Sequence, residues 1–132
     1  MRFLIAEDDP TGAKLLEELL EKHGVCDWVE DGEEAVQAFQ LALEKKEPYD
    51  LILMDIMMPN LDGQSALTQI RNIEKEKYQI YLDGVKVIMT TALDDQVNIL
   101  KAFCQGGATN YLVKPITKQK LFSLLGEMGL FR

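Results

Sequence analysis

Apolar positions along this chain follow two alternating rhythms. Short, largely apolar runs at residues 3–6, 51–58 and 85–89, with a mixed run at 25–29 and another at 110–113, have the length and apolar character of strands. Between them the spacing changes to threes and fours. Leu15, Leu16, Leu19 and Leu20 form one helical stripe, opened by Pro10 and Thr11 and closed by Gly24. Ala35, Val36, Phe39 and Leu43 form a second, Ala66, Leu67, Ile70 and Ile73 a third, and Leu121, Phe122, Leu124 and Leu125 a last one. A further helix is predicted from about Asp94 or Asp95 to Gln105, stopped by Gly106 and Gly107. Residues 74–84 fit an extension of the third helix, a loop or a small hairpin.

The run at 51–58 is apolar throughout except for Asp55, is entered through Pro48 and ends at Pro59, which predicts a strand buried on both faces. Five strand-helix repeats, each crossover long enough for a helix, predict an α/β fold. Its sheet should be parallel, five-stranded and doubly wound, with five helices covering both faces. Right-handed crossovers leave few topologies, of which the flavodoxin-like order 2-1-3-4-5 is the commonest at this size. The chain reads as a single domain over 1–132, with no output domain after Arg132.

Composition narrows the function. Hydrophobic residues make up 47% and charged ones 27%, as in a globular protein, and no apolar run approaches a membrane span. The amino-terminal run meets Glu7 too soon for a signal peptide, so no membrane contact is expected. A net charge of −8 without a basic cluster argues against direct nucleic-acid binding. Cys26 and Cys104 lack metal-ligand spacing and read as small apolar residues in a reducing, cytoplasmic setting. His23, the single histidine, reads as a capping or solvated group near a helix end rather than a phosphate donor.

The chemistry gathers at strand ends. Glu7 and Asp8 follow the first strand, Asp55 ends the third, Thr91 follows the fourth and Lys114 the fifth. Parallel strands bring all of them to one rim. Three carboxylates there repel one another unless a cation is shared, and an all-oxygen set suits Mg²⁺. Lys114 adds a fixed positive charge and Thr91 a hydroxyl donor. A phosphoryl group fits such a site, with a carboxylate as nucleophile.

These residues, with Pro59 and Gly63 after Asp55, Ala92 after Thr91, Tyr111, and Pro115 after Lys114, resemble the receiver domain of two-component response regulators over nearly the whole chain. The resemblance implies that Asp55 is the phosphoacceptor. It also implies that Mg²⁺ or Mn²⁺ is held by Glu7, Asp8, Asp55 and the backbone carbonyl of Met57. Thr91, Ala92 and Lys114 would hold the phosphoryl oxygens, and Thr91 and Tyr111 would form the switch. Pro59, Gly63 and a cis Lys114-Pro115 bond would be structural, and Asp9 stays outside the metal shell. The expected partners are a histidine kinase or phosphotransfer protein upstream and a protein target downstream. The protein itself would catalyse only its own phosphotransfer and slow dephosphorylation.

Two departures from the family stand out. The stretch between Gly63 and Thr91 is about six residues longer than in compact members, an increment surface loops accept at little cost. Thr109 and Asn110 lack the paired acids of the DNA-binding subfamily that dimerises through this region, so a monomer or weak dimer is expected. Two other functions compete. A haloacid-dehalogenase-like phosphatase also combines Asp, Mg²⁺, Thr and Lys, but it places a second Asp where this chain has Met57. A pseudo-receiver scaffold would not need the full acidic, Thr and Lys set.

The resemblance also places Met57 and Leu93 beside the path of the hydrolytic water. Neither side chain can orient that water, so phosphorylated Asp55 should be long-lived. A positioned acid or base is worth about 10²–10⁴ in rate, which bounds the effect. The double substitution Met57→Asn, Leu93→Glu should speed phosphate loss at constant Mg²⁺; an unchanged rate would show that these positions do not set the lifetime.

Overall fold

Strand-end acids can meet only if the strands run parallel, and they do. The computed structural model describes residues 1–82, 84–92 and 107–130. Its elements are β1 (Arg2–Ala6), α1 (Pro10–Leu20), β2 (Val25–Val29), α2 (Gly32–Glu44), β3 (Leu51–Asp55), α3 (Gly63–Tyr78), β4 (Lys86–Thr91), β5 (Asn110–Val113) and α4 (Lys118–Glu127). The five strands pair in parallel in the order β2-β1-β3-β4-β5, as expected for the flavodoxin-like arrangement. Four helices are described. The helix predicted from about Asp94, together with Leu93 and Cys104, lies outside the described residues.

Every residue of β3 is buried, as its unbroken apolar run requires of a central strand. Side-chain alternation then divides the core in two. Leu4, Ala6, Ile52, Met54, Val87 and Met89 pack on Ala35 and Phe39 of α2 and Leu67 and Ile70 of α3. Phe3, Ile5, Leu51, Leu53, Ile88 and Leu112 pack on Leu16 and Leu20 of α1 and Leu121 and Leu125 of α4. Continuing the same alternation past the strand ends, Glu7 follows Phe3 and Ile5, Asp55 follows Leu51 and Leu53, and Lys114 follows Leu112. One parity therefore assigns all three to the α1–α4 side.

Helix starts follow side-chain chemistry. Asp9, Asp31, Asp62 and Thr117 cap α1, α2, α3 and α4, each accepting from backbone N–H groups of the first turn. Two predicted boundaries shift. α1 ends at Leu20 rather than at Gly24; Gly24 instead admits the Met1 carbonyl, which would stand 2.1 Å from a Cβ there. β4 runs on through Thr90 and Thr91, so Thr91 is the last residue of the strand and not the first beyond it.

The ambiguous stretch begins as helix. α3 continues to Tyr78 and closes on Gln79 in the left-handed conformation (φ 53°), with the Ile80 N–H donating to the Glu74 carbonyl. Glu74 is buried, which the sequence did not signal. Its carboxylate accepts from Arg71 Nη1 at 2.8 Å and from the Val85 N–H at 2.7 Å, tying the end of α3 to the entry of β4. Arg71 also donates through Nε and Nη2 to the Gly107 carbonyl, at 3.1 and 2.9 Å. Removing one partner of a buried pair strands the other charge, at a typical cost of about 3–5 kcal/mol. Arg71→Ala should therefore lower the urea midpoint strongly, whereas the double variant Arg71→Met, Glu74→Met should regain much of the loss.

Candidate functional site

The carboxyl ends of β1, β3 and β5 deliver Glu7, Asp55 and Lys114 to one point. Lys114 Nζ donates to Glu7 Oε1 at 2.8 Å and to Asp55 Oδ2 at 2.9 Å. Glu7 and Asp55 are buried, with 2% and 6% of their surface exposed, while the Lys114 side chain is 37% exposed, so the two ion pairs are shielded from solvent on the carboxylate side. Asp8 is exposed beside them. One carboxylate oxygen from each of Glu7, Asp8 and Asp55 lies within 4.8 Å of the others. Three hard oxygen donors this close fit a divalent cation such as Mg²⁺ better than they fit one another.

Backbone geometry holds the acids in place. Asp55 Oδ1 accepts from the Met57 N–H at 3.2 Å, and the chain then folds back so that the Gly63 N–H reaches the Ile56 carbonyl at 2.9 Å. A Cβ on Gly63 would stand 2.2 Å from the Asp55 carbonyl oxygen, so glycine is required by this close approach. Asp9 lies outside the carboxylate cluster and caps α1 through the N–H groups of Thr11 and Gly12. Its N–H also meets Glu7 Oε2 at 3.3 Å.

On the other flank, Thr91 is buried and its hydroxyl donates to the Ala92 carbonyl at 3.3 Å, while its own carbonyl accepts from the Lys114 N–H at 2.7 Å. Ala92 is exposed, and the Lys114-Pro115 bond is cis, as the resemblance implies. Met57 is 66% exposed and Tyr111 39% exposed, both at the surface. Pro59 and Pro115 are exposed as well. His23 is exposed, as a solvated group would be, and its ring also lies against Phe122 at 5.1 Å between centroids. Burial first, and then nearby carboxylates, push the Cys26 thiol up to about 11, in keeping with an unreactive, partly apolar role.

The electrostatics follow from crowding. Burial, and next the neighbouring Asp55 carboxyl, push the Glu7 carboxyl up from 4.5 to about 7 against the opposing pull of Lys114. Burial by itself would lower Lys114, but Glu7 and Asp55 outweigh it and hold the ammonium above its ordinary value. One lysine thus does not fully neutralise the acids. Two further contacts escaped the sequence. Trp28 Nε1 donates to the Glu7 carbonyl at 2.8 Å, and Asn60 Nδ2 donates to Asp31 Oδ2 at 2.7 Å. Neither a lone tryptophan nor an asparagine in a turn carries a signal of such long-range contacts.

Comparison with known proteins gives one answer. Residues 3–126 match the family model of the response regulator receiver domain. The chain is 37% identical over 116 residues to the transcriptional activator protein IrlR of Burkholderia pseudomallei, covering 87% of this chain but 44% of that protein. Among solved structures, it superposes on a chain of the Saccharomyces cerevisiae complex between the histidine phosphotransfer protein Ypd1 and the receiver domain of Ssk1. There the TM-score is 0.79 at 30% identity, covering 98% of this chain and 88% of that one. It is also similar to the receiver domain of the sensor histidine kinase PA1611 from Pseudomonas aeruginosa, which has magnesium in its active-site cleft. In that case the TM-score is 0.73 at 32% identity, covering 96% and 94% of the two chains.

A carboxyl raised from 4.5 to about 7 binds its proton more tightly in the folded chain than in the unfolded one. The stability this contributes is complete below the unfolded value and is lost as pH rises through 7. In EDTA, urea unfolding should show a loss on the order of 2–3 kcal/mol between pH 4.5 and pH 8, and Asp55→Asn should reduce that slope. Mg²⁺ should recover more stability at pH 8 than at pH 5.5.

Proposed function

The chain belongs to the response regulator receiver family, and from that premise we propose that Asp55 accepts a phosphoryl group from a phosphohistidine on a partner kinase or phosphotransfer protein. The observation that carries this reading is the buried Asp55 carboxylate, held by Lys114 at 2.9 Å beside Glu7 and Asp8. Glu7, Asp8, Asp55 and the Met57 carbonyl would hold Mg²⁺ or Mn²⁺, which when bound offsets the negative charge that otherwise repels an incoming phosphate.

Transfer is an exchange of one bond for another. An Asp55 carboxylate oxygen forms the O–P bond as the N–P bond of the phosphohistidine breaks, and the electron pair stays on the imidazole nitrogen, which takes up a proton. Lys114, already at the Asp55 oxygen, pairs with the transferred phosphoryl oxygens and loses little entropy because its position is set beforehand. The Thr91 hydroxyl then exchanges the Ala92 carbonyl for a phosphoryl oxygen, with the Ala92 N–H beside it. Movement of that strand end changes the space beside Tyr111 on β5, a 39% exposed residue, and a protein target reads the altered surface. The Ssk1 receiver bound to a histidine phosphotransfer protein supports a partner of this chemical class. Turnover as a phosphatase is disfavoured because Met57 stands where a general acid would be needed.

Wild-type protein should take up one phosphoryl group from acetyl phosphate in Mg²⁺, read by intact mass, and Asp55→Ala should take up none. Undiminished labelling of the variant would overturn Asp55 as acceptor, and labelling that survives EDTA would overturn the role of the metal.

A further inference from the structure

The segment that runs from the end of β2 through the turn into α2 contributes no group to the site, yet it touches Glu7 after β1 and the loop after Asp55. On one side it completes the backbone hydrogen bonds of Glu7. The β1–β2 register ends at Ala6 opposite Val29. Beyond it the Glu7 N–H still reaches the Val29 carbonyl at 3.0 Å, but no strand residue is left to serve the Glu7 carbonyl. The indole of Trp28 does so at 2.8 Å, and its ring stays 39% exposed. Trp28 is the only tryptophan in the chain, and an exposed indole gives up apolar burial that an inward position would gain.

On the other side the same turn grips the loop after Asp55. Asn60, in the left-handed conformation at φ 65°, donates to Asp31 Oδ2 at 2.7 Å, while Asp31 Oδ1 caps α2 by accepting from the Glu34 N–H at 2.8 Å. The Gly32 N–H donates to the Leu61 carbonyl at 3.0 Å, and a Cβ on Gly32 would stand 2.2 Å from that oxygen. Any side chain at this position would force the loop and the start of α2 apart.

We propose that this segment is a brace that sets the spacing between the loop after β1 and the loop after β3, with Trp28 positioning Glu7 and Asp8 and the Asn60–Asp31 pair positioning the loop that follows Asp55. The proposal rests on the metal-dependent reading of the site given above. Glu7 and Asp8 beyond β1 and the Met57 carbonyl beyond β3 can share one cation with Asp55 only at a narrow range of separations, and a segment bonded to both loops fixes that separation before the cation arrives. Removing either tie lets one loop drift relative to the other. Removing both adds little, because the spacing is already lost.

The test is calorimetric titration of Mg²⁺ into wild type, Trp28→Phe, Asn60→Gly and the double variant, with metal-free thermal melts of each. Trp28→Phe keeps an aromatic ring and removes the N–H; Asn60→Gly keeps the left-handed backbone and removes the amide. Tyr49→Phe serves as a control, since it deletes a 2.6 Å hydrogen bond from a residue ahead of β3 to Asp27 in the middle of β2, which ties neither of the two loops. Each single variant should bind Mg²⁺ about tenfold more weakly, the scale seen when groups supporting metal ligands are removed. The double variant should fall well short of the product of the two. The control should lower the melting temperature without moving Mg²⁺ affinity. Unchanged affinity in both single variants, a double variant that equals the product, or a control that loses affinity in step with its melting temperature would each overturn the brace. Wild type that binds no Mg²⁺ would overturn the metal reading itself, and the brace with it.

Discussion

Charge crowding at one rim of the sheet is the constraint on which the rest of this structure depends. Glu7, Asp8 and Asp55 are brought within ligand distance of one another, and the single ammonium of Lys114 bridges two of them. Such an arrangement is costly to fold without a cation, and the upward push on the Glu7 carboxyl, from burial first and from Asp55 next, expresses that cost. Under the proposed function a bound cation would relieve this crowding, and the cation and Lys114 would share the charge of the phosphoryl group. The buried Asp55 carboxylate is stabilised here by the Lys114 ammonium at 2.9 Å.

The core is what allows this crowding to persist. Two apolar layers grip β1, β3 and β4 from both faces, so the strands cannot slide to relieve repulsion at their ends. Alternation along those strands also settles which residues meet. Glu7, Asp55 and Lys114 share one parity, and a register slip of one residue would send each to the opposite face. At the far end of the sheet the Arg71–Glu74 pair anchors α3 to the entry of β4 and to the approach of β5. The longer segment in this chain is thus closed by a buried ion pair rather than left as a free loop.

Contacts between loops do work that the strands cannot. The β1–β3 ladder stops at Ala6, one step before Glu7, and the β3–β4 ladder ends on Asp55 itself. Beyond that point position depends on individual groups: the Trp28 indole, the Asn60 amide, the Met57 N–H and the tight fold-back at Gly63. Each holds the chain in place beyond the ladder with a side chain or a turn.

Much of this was legible in the chain alone. An unbroken apolar run carrying one aspartate determined a central, doubly buried strand, and the alternation of strand and helix periods determined a parallel doubly wound sheet. Acids, threonine and lysine at successive strand ends then determined which residues share a rim. Periodicity is a local property, so short windows of sequence carry it fully. Tertiary structure alone decided that α1 ends at Leu20 and that Gly24 makes room for the Met1 carbonyl. It also decided that Glu74 is buried against Arg71, that His23 lies on Phe122, and that Trp28 serves Glu7. These pairings join residues whose spacing in the chain follows no period, or a helical neighbour whose burial depends on a distant strand. Their partners exist only once the sheet has brought remote segments together.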